Sequence, residues 1–183
     1  MTTLGLSGAK VCLRPKSMAD ARHDYRWQKD AELMAFSGNE PLRESFLEYL
    51  VKNMAPSDAT ETMEVFAIRT IQENDHIGNC ALYNIDRTVG EAQLGIAIGE
   101  RDYWSKGYGR EAVALLVNYA FDVLGLAKLC LKTLDDNTRA RKCFEKCGFR
   151  PCGTLLHDGH CYVLMELPQP LRPPPFIAIP ESA

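Results

Sequence analysis

No stretch of this chain approaches ~18 uninterrupted apolar residues, so the sequence predicts no membrane-spanning helix. No sign of charge dominates either: 21 basic residues face 24 acidic ones, for a net charge of −3. A nucleic-acid binder normally carries a strongly basic balance, so none is expected as a partner. The opening MTTLGLSGAK has no basic segment followed by an apolar one, so no secretory leader is expected. A paired cysteine framework is also missing. The seven cysteines are odd in number and scattered, and read as reduced thiols in a cytoplasmic protein. Cys143 and Cys147 share a helix face, and His157, His160 and Cys161 bracket a turn, but no matching Cys/His pair stands elsewhere at zinc spacing. No metal is expected. The two common nucleotide fingerprints are lacking as well. There is no GxxxxGK[ST], and the one glycine-rich loop has no third glycine.

What is there suits one soluble globular domain. The 183 residues are 46% apolar and 25% charged, an ordinary balance for a chain able to bury roughly 70% of its unfolded surface. Residues 9–14 read as a strand ended by Pro15. A helix capped by Ser17 or Asp20 runs to about Trp27, and a second covers Leu42 to Asn53, with Leu42, Phe46 and Leu50 on one face. After a loop over 54–62, three extended stretches (64–71, 77–85 and 92–98) with short turns form an antiparallel meander. A loop over 99–106 leads to a helix from Gly107 to Gly125. Lys128 to Leu134 is a strand, Thr138 to Cys147 a helix, and a hairpin turns at Asp158-Gly159. The order βααβββαβαββ describes an α+β fold: a mixed, mainly antiparallel central sheet flanked by helices. The domain covers 1–167. The remaining 168–183 form a tail holding six of the ten prolines.

One segment of this pattern can carry chemistry. Lys106-Gly107-Tyr108-Gly109-Arg110 stands between a strand and a helix. Glycine lets the backbone turn sharply and approach a ligand closely. The first helical N–H groups have no partner within the helix, and the dipole is positive there, so a pyrophosphate fits. Lys106 and Arg110 add charge. The plain alternative is a tight strand–helix connection.

KGYG followed by EA, and then Asn137-Thr-Arg-Ala-Arg-Lys-Cys-Phe-Glu-Lys-Cys-Gly-Phe149 some thirty residues on, resembles the GNAT acyltransferase superfamily and its RimJ/RimL-like branch. LRP near the start, IGNCALY and AQLGIAI agree with it, so the likeness covers about 10–167. The resemblance implies the GNAT fold, with acetyl-CoA as co-substrate in a cleft where the strands at 92–98 and 128–134 splay apart. It places the pyrophosphate on the amides of Lys106 to Arg110, and the pantetheine arm along Ile96, Ala97 and Ile98 like an added strand. Asn137 then faces the arm or the thioester, and Arg141 or Lys142 reaches a CoA phosphate. The reaction implied is attack of a primary amine on the thioester. The acceptor is a protein N-terminus, a polyamine, an aminoglycoside or another small amine. A homodimer is implied as well.

Four positions depart from the family pattern. Phe144 stands where many members have a Tyr that protonates the leaving thiolate, and Ala140 where many have Ser. A positioned acid contributes about 10²–10⁴-fold, and a thiolate already leaves fairly well, so water or Cys143 can substitute. A non-catalytic acyl-CoA-binding module is the rival reading. Trp104 stands where Gln or Arg is common. The tetrahedral oxyanion needs a fixed donor, here a backbone N–H near Ile98. Gln93 stands where relatives have Glu, which makes Glu91, two residues earlier on the same strand face, the candidate base; a surface glutamate at a strand start is the plainer reading. Trp27 and Phe36 are candidate walls of the acceptor pocket, Gln93 a candidate acceptor contact, and His157 a candidate specificity residue on the overhanging turn.

Overall fold

A computed structural model describes residues 6–54 and 62–169. Most of the 54–62 loop and all but the first two residues of the proline-rich tail lie outside the described residues. The strands are β1 (Leu6–Ser7), β2 (Val11–Pro15), β3 (Glu64–Thr70), β4 (His76–Asp86), β5 (Glu91–Ile98), β6 (Lys128–Leu134), β7 (Arg150–His157) and β8 (His160–Pro168). The helices are α1 (Ala21–Gln28), α2 (Ala31–Ala35), α3 (Phe46–Met54), α4 (Tyr108–Asn118) and α5 (Thr138–Lys146).

The predicted α+β order holds, with two additions and one trimmed element. β1 is a two-residue pairing that closes a turn onto β2. α2 is a short helix that the Asp30 carboxylate caps by accepting from the amides of Glu32 and Leu33 at 3.1 Å. α3 begins at Phe46 rather than Leu42. Its start is set by Ser45 and Glu48, which bond reciprocally as a capping box.

One sheet runs in the order β1-β2-β3-β4-β5-β6-β8-β7. Every pairing is antiparallel except β5 with β6. That single parallel pair arises because α4 carries the chain across the sheet between them. The pairing is short. It joins Glu91 to Lys128, Ala92 to Leu129 and Gln93 to Cys130, and then stops. β5 continues to Ile98 on β4, and β6 to Leu134 on β8. Beyond Gln93 the two central strands therefore diverge.

α4 packs across β2, β4 and β5. Its Ala112, Val113, Leu116 and Val117 are buried in the main core with Leu13, Ile68, Leu82, Leu94 and Leu129, as a helical apolar stripe requires. Glu111 fastens its first turn, accepting from the amides of Lys10 at 2.7 Å and Val11 at 3.3 Å. At Tyr119 the helix widens into a π-type turn that runs to Val123. Among the described residues no helix is long and apolar enough to cross a membrane.

Candidate functional site

The divergence of β5 from β6 leaves backbone facing a gap. The Gly99 amide donates to Ile77 of the β4 side at 2.9 Å. By strand alternation the peptide groups of Leu94, Ile96 and Ile98 point the other way, towards the space that β6 has left. Ile96, Ala97 and Ile98 pair only with Cys80, Asn79 and Gly78 of β4. The Ile98 carbonyl is already engaged: the Trp104 indole Nε1 donates to it at 2.8 Å.

The glycine loop closes one end of this gap. Gly107 is the residue before α4 and has φ +90°, a left-handed conformation that side chains resist. It turns the chain so that the first amides of α4 point outward. Lys106 and Arg110 flank them. A third cation joins from far away in sequence: Lys10 donates from Nζ to the Lys106 carbonyl at 2.9 Å and stands 5.4 Å over the Tyr108 ring. Lys10 carries no local signal, because the Glu111 bonds and the packing of α4 on β2 bring the start of that strand to this helix from a hundred residues away.

α5 forms the other wall. Asn137 caps it, its Oδ1 accepting from the Ala140 amide at 3.1 Å, while its Nδ2 donates to the Phe36 carbonyl at 3.2 Å. Arg141 is committed to Asp135, bonding its carboxylate at 2.9 Å and its carbonyl at 3.0 Å, whereas Lys142 is exposed. Phe144 is buried in the core, 6.0 Å from Phe149 ring to ring. Cys143 is half-buried and faces Cys147, whose Sγ lies 3.6 Å from the Arg110 carbonyl. The hydrogen bond with Cys147 pulls the Cys143 thiol below its ordinary value; burial opposes this, and Arg110 and Lys146 add to it. The same bond, with burial, pushes Cys147 up.

The candidate acceptor residues divide into two groups. Trp27 and Phe36 lie near the loop after β5. Trp27 is buried, fits where a Cβ on Gly99 would collide with its ring, and donates from Nε1 to Glu100 at 3.1 Å. It borders an open cleft of about 280 Å³ lined by Arg26, Asp30, Glu100, Arg101 and Asp102. The acids on this side are mostly neutralised: Arg101 pairs with Asp30 at 2.8 Å and Glu32 at 2.6 Å, and Arg26 pairs with Glu100. Phe36 meets Trp104 edge to face at 5.7 Å, and the Arg139 guanidinium lies 3.8 Å over the Trp104 ring and 4.8 Å over Phe36. Arg139 escaped the sequence reading, since an Arg in a basic helix start carries no sign that it stacks.

Gln93 and Glu91 stand apart from this group, in the paired part of β5. Gln93 lies between Tyr83 and Cys130, and Glu91 pairs with Lys128 at 2.8 Å. His157 sits exposed at the hairpin tip beside Asp158, 3.3 Å away. The hairpin does reach the α2 end, but through Tyr162, whose hydroxyl donates to the Ser37 carbonyl at 3.3 Å. Among the described residues no group of three or more His, Cys, Asp or Glu side chains is placed to hold a metal ion.

Known proteins resemble this chain in sequence and in architecture. Residues 10–150 match the family model described as acetyltransferase (GNAT) domain. The chain is 29% identical over 153 residues to spermidine N(1)-acetyltransferase of Escherichia coli K12, covering 83% of this chain and 79% of that protein. It is 30% identical over 161 residues to human alpha/beta-tubulin-N-acetyltransferase 9, covering 81% and 76%. Among solved structures, spermidine N-acetyltransferase from Vibrio cholerae in complex with CoA and spermine superposes with a TM-score of 0.77 at 24% identity, covering 90% of this chain and 98% of that one. Aminoglycoside acetyltransferase AAC(6')-Ib in complex with coenzyme A gives 0.73 at 20% identity, covering 88% and 96%.

Proposed function

The chain belongs to the acetyltransferase (GNAT) domain family, and from that premise we propose that it moves an acetyl group from acetyl-CoA to a primary amine by direct attack on the thioester. The observation that carries this reading is the pairing of an opened β5–β6 gap with a left-handed Gly107 at the head of α4. Outward amides and the cations of Lys106, Arg110 and Lys10 suit a pyrophosphate. The Ile96 peptide suits an extended amide-bearing arm lying beside β5, and Ala97 and Ile98 border it. Lys142 is free to meet a CoA phosphate.

In this proposal the Ile98 amide steadies the tetrahedral oxyanion, a preorganised donor in place before charge develops. Cys143, its thiol made more acidic by Cys147 and the neighbouring cations, supplies the proton that the departing CoA thiolate takes. The amine loses its own proton to water. Glu91, on the same strand face as Gln93 but about 23 Å from Ile98 by strand rise, is the far acceptor of that relay, reached only through a chain of waters. Phe36 and Trp27 wall the acceptor side, with His157 on the hairpin above it. The acceptor class is taken from amines of the kind named for the relatives, together with protein N-termini. Membership of the RimJ/RimL-like branch, a homodimer and a cytoplasmic location complete the proposal.

A second reading has its own support. Neither Phe144 nor Ala140 offers a hydroxyl, which suits a non-catalytic acyl-CoA-binding module. Calorimetric titration with acetyl-CoA, with ATP as control, followed by thiol release over spermidine, an aminoglycoside and a peptide N-terminus, separates the two. Binding with release for one amine is the expected result. Binding without release for any amine favours the module, and no acetyl-CoA binding overturns both.

A further inference from the structure

The Ile98 carbonyl is the last backbone acceptor of β5, and it faces the gap. Trp104 holds it at 2.8 Å through Nε1. The indole is itself held. The Arg139 guanidinium stacks 3.8 Å from its ring centre, Phe36 meets it edge to face at 5.7 Å, and Arg101 stands 5.6 Å away on the ring. Arg139 belongs to α5, which follows β6, whereas Ile98 and Trp104 belong to the β5 side. The stack thus spans the two diverging halves of the sheet where the gap is widest. Phe36 ties it further to Asn137.

An indole N–H on a strand carbonyl makes the bond that an amide N–H of an added strand makes. We infer that Trp104 guards cofactor entry: its indole occupies the Ile98 carbonyl that the pantetheine arm of acetyl-CoA takes on binding, and Arg139 clasps it there. The inference rests on the reading of this gap as an acetyl-CoA cleft. Its consequence is that the resting protein spends part of its cofactor affinity on releasing Trp104. A hydrogen bond of this type contributes about 0.5–1.5 kcal/mol net, so its removal changes affinity by about two- to tenfold.

The test compares two ligands on wild type, W104F and R139M. Acetyl-CoA carries the arm, and 3′-phospho-ADP is the CoA nucleotide without it. W104F keeps the ring and deletes the N–H; R139M keeps the N–H and loosens the clasp, so one variant stands if the other fails to fold. Both variants are expected to bind acetyl-CoA about two- to tenfold more tightly and 3′-phospho-ADP as wild type does. Wild-type fluorescence should also change on acetyl-CoA addition in a way that W104F, left with Trp27 alone, does not reproduce. Unchanged or weaker acetyl-CoA binding by W104F, or an equal shift for both ligands, overturns the inference. If wild type binds neither ligand, the acetyl-CoA reading itself fails, which is a different result.

Discussion

Asn137 and Phe36 are 101 residues apart in sequence and joined by one hydrogen bond, from the Asn137 Nδ2 to the Phe36 carbonyl at 3.2 Å. The same side chain caps α5 through its Oδ1. One amide therefore fixes both the first turn of α5 and the last turn of α2, on opposite sides of the cleft. Asn137→Ala removes both bonds. A lost N-cap costs about 1 kcal/mol, and the freed Phe36 carbonyl adds to this, so urea unfolding should report a loss of about 1–2 kcal/mol. Asn137→Asp keeps the cap acceptor and loses only the donor to Phe36. It should retain more stability than Asn137→Ala. Equal stability of all three proteins would show that the bond across the cleft is idle.

The two loop glycines answer different questions. At Gly107, with φ +90°, any side chain is strained, at a cost of roughly 1–3 kcal/mol, so weaker ligand binding by Gly107→Val is confounded with misfolding. At Gly109 an added Cβ would meet only the Ile98 Cγ1 at 3.5 Å, an ordinary contact. Gly109→Val should therefore unfold near the wild-type urea midpoint and bind acetyl-CoA at least tenfold more weakly. Wild-type affinity in that variant removes the pyrophosphate from this loop.

Much of the fold was legible because it is written in local signals. The three-strand meander, the α4 stripe and the Asp158-Gly159 turn depend on alternation, helical spacing and turn chemistry, each contained within a dozen residues. α2 was missed because five residues make too short a helix for periodicity, and its stop and start depend on the Asp30 cap. The site was legible only along its glycine loop and the Asn137 cap. Lys10 and Arg139 come from elements brought together by the sheet order, which no local pattern encodes. The Trp104–Ile98 bond, though it spans only six residues, depends on how the loop after β5 folds back, which no periodicity marks. Phe144 was read from its place in a motif, and its burial against Phe149 is a packing fact that the motif does not carry.

Phe144→Tyr tests whether a missing phenol limits turnover. The ring is 6% exposed and packed on Phe149. A hydroxyl added there enters apolar surroundings, where an unpartnered polar group costs about 1–3 kcal/mol. The expected result is a less stable protein whose rate of thiol release does not rise. A rise of tenfold or more would mean that the new hydroxyl reaches the departing sulfur, and Cys143 would then lose its assigned role.

Acid should unfold this protein in two stages, because two buried groups behind α1 titrate in the same sense. Burial pushes the Asp20 carboxyl up, but Arg14, which bonds both of its oxygens at 2.5 and 2.9 Å, the Ser17 amide and His76 outweigh that and hold it at about 2. His76 is pulled below its ordinary 6.5 by burial, against the opposing pull of Asn79, Asp20 and Asp24; His23 and Trp27 close the pocket on its remaining side. Lys16 neutralises Asp24 at 2.8 Å. For His76 the unfolded chain binds the proton first, so stability falls as pH drops below about 6.5. For Asp20 the stabilisation is complete above the unfolded value of 3.8 and is lost as pH falls towards about 2, a contribution of about 2 kcal/mol. Urea midpoints should therefore decline from pH 7 to pH 5 and again from pH 4 to pH 2. His76→Gln should flatten the first decline and leave the second. Asp20→Asn should lower stability at pH 7 and flatten the second. A midpoint that stays level from pH 7 to pH 5 in the wild type would mean that His76 gains its proton without opening the pocket, and that its burial costs the folded state nothing.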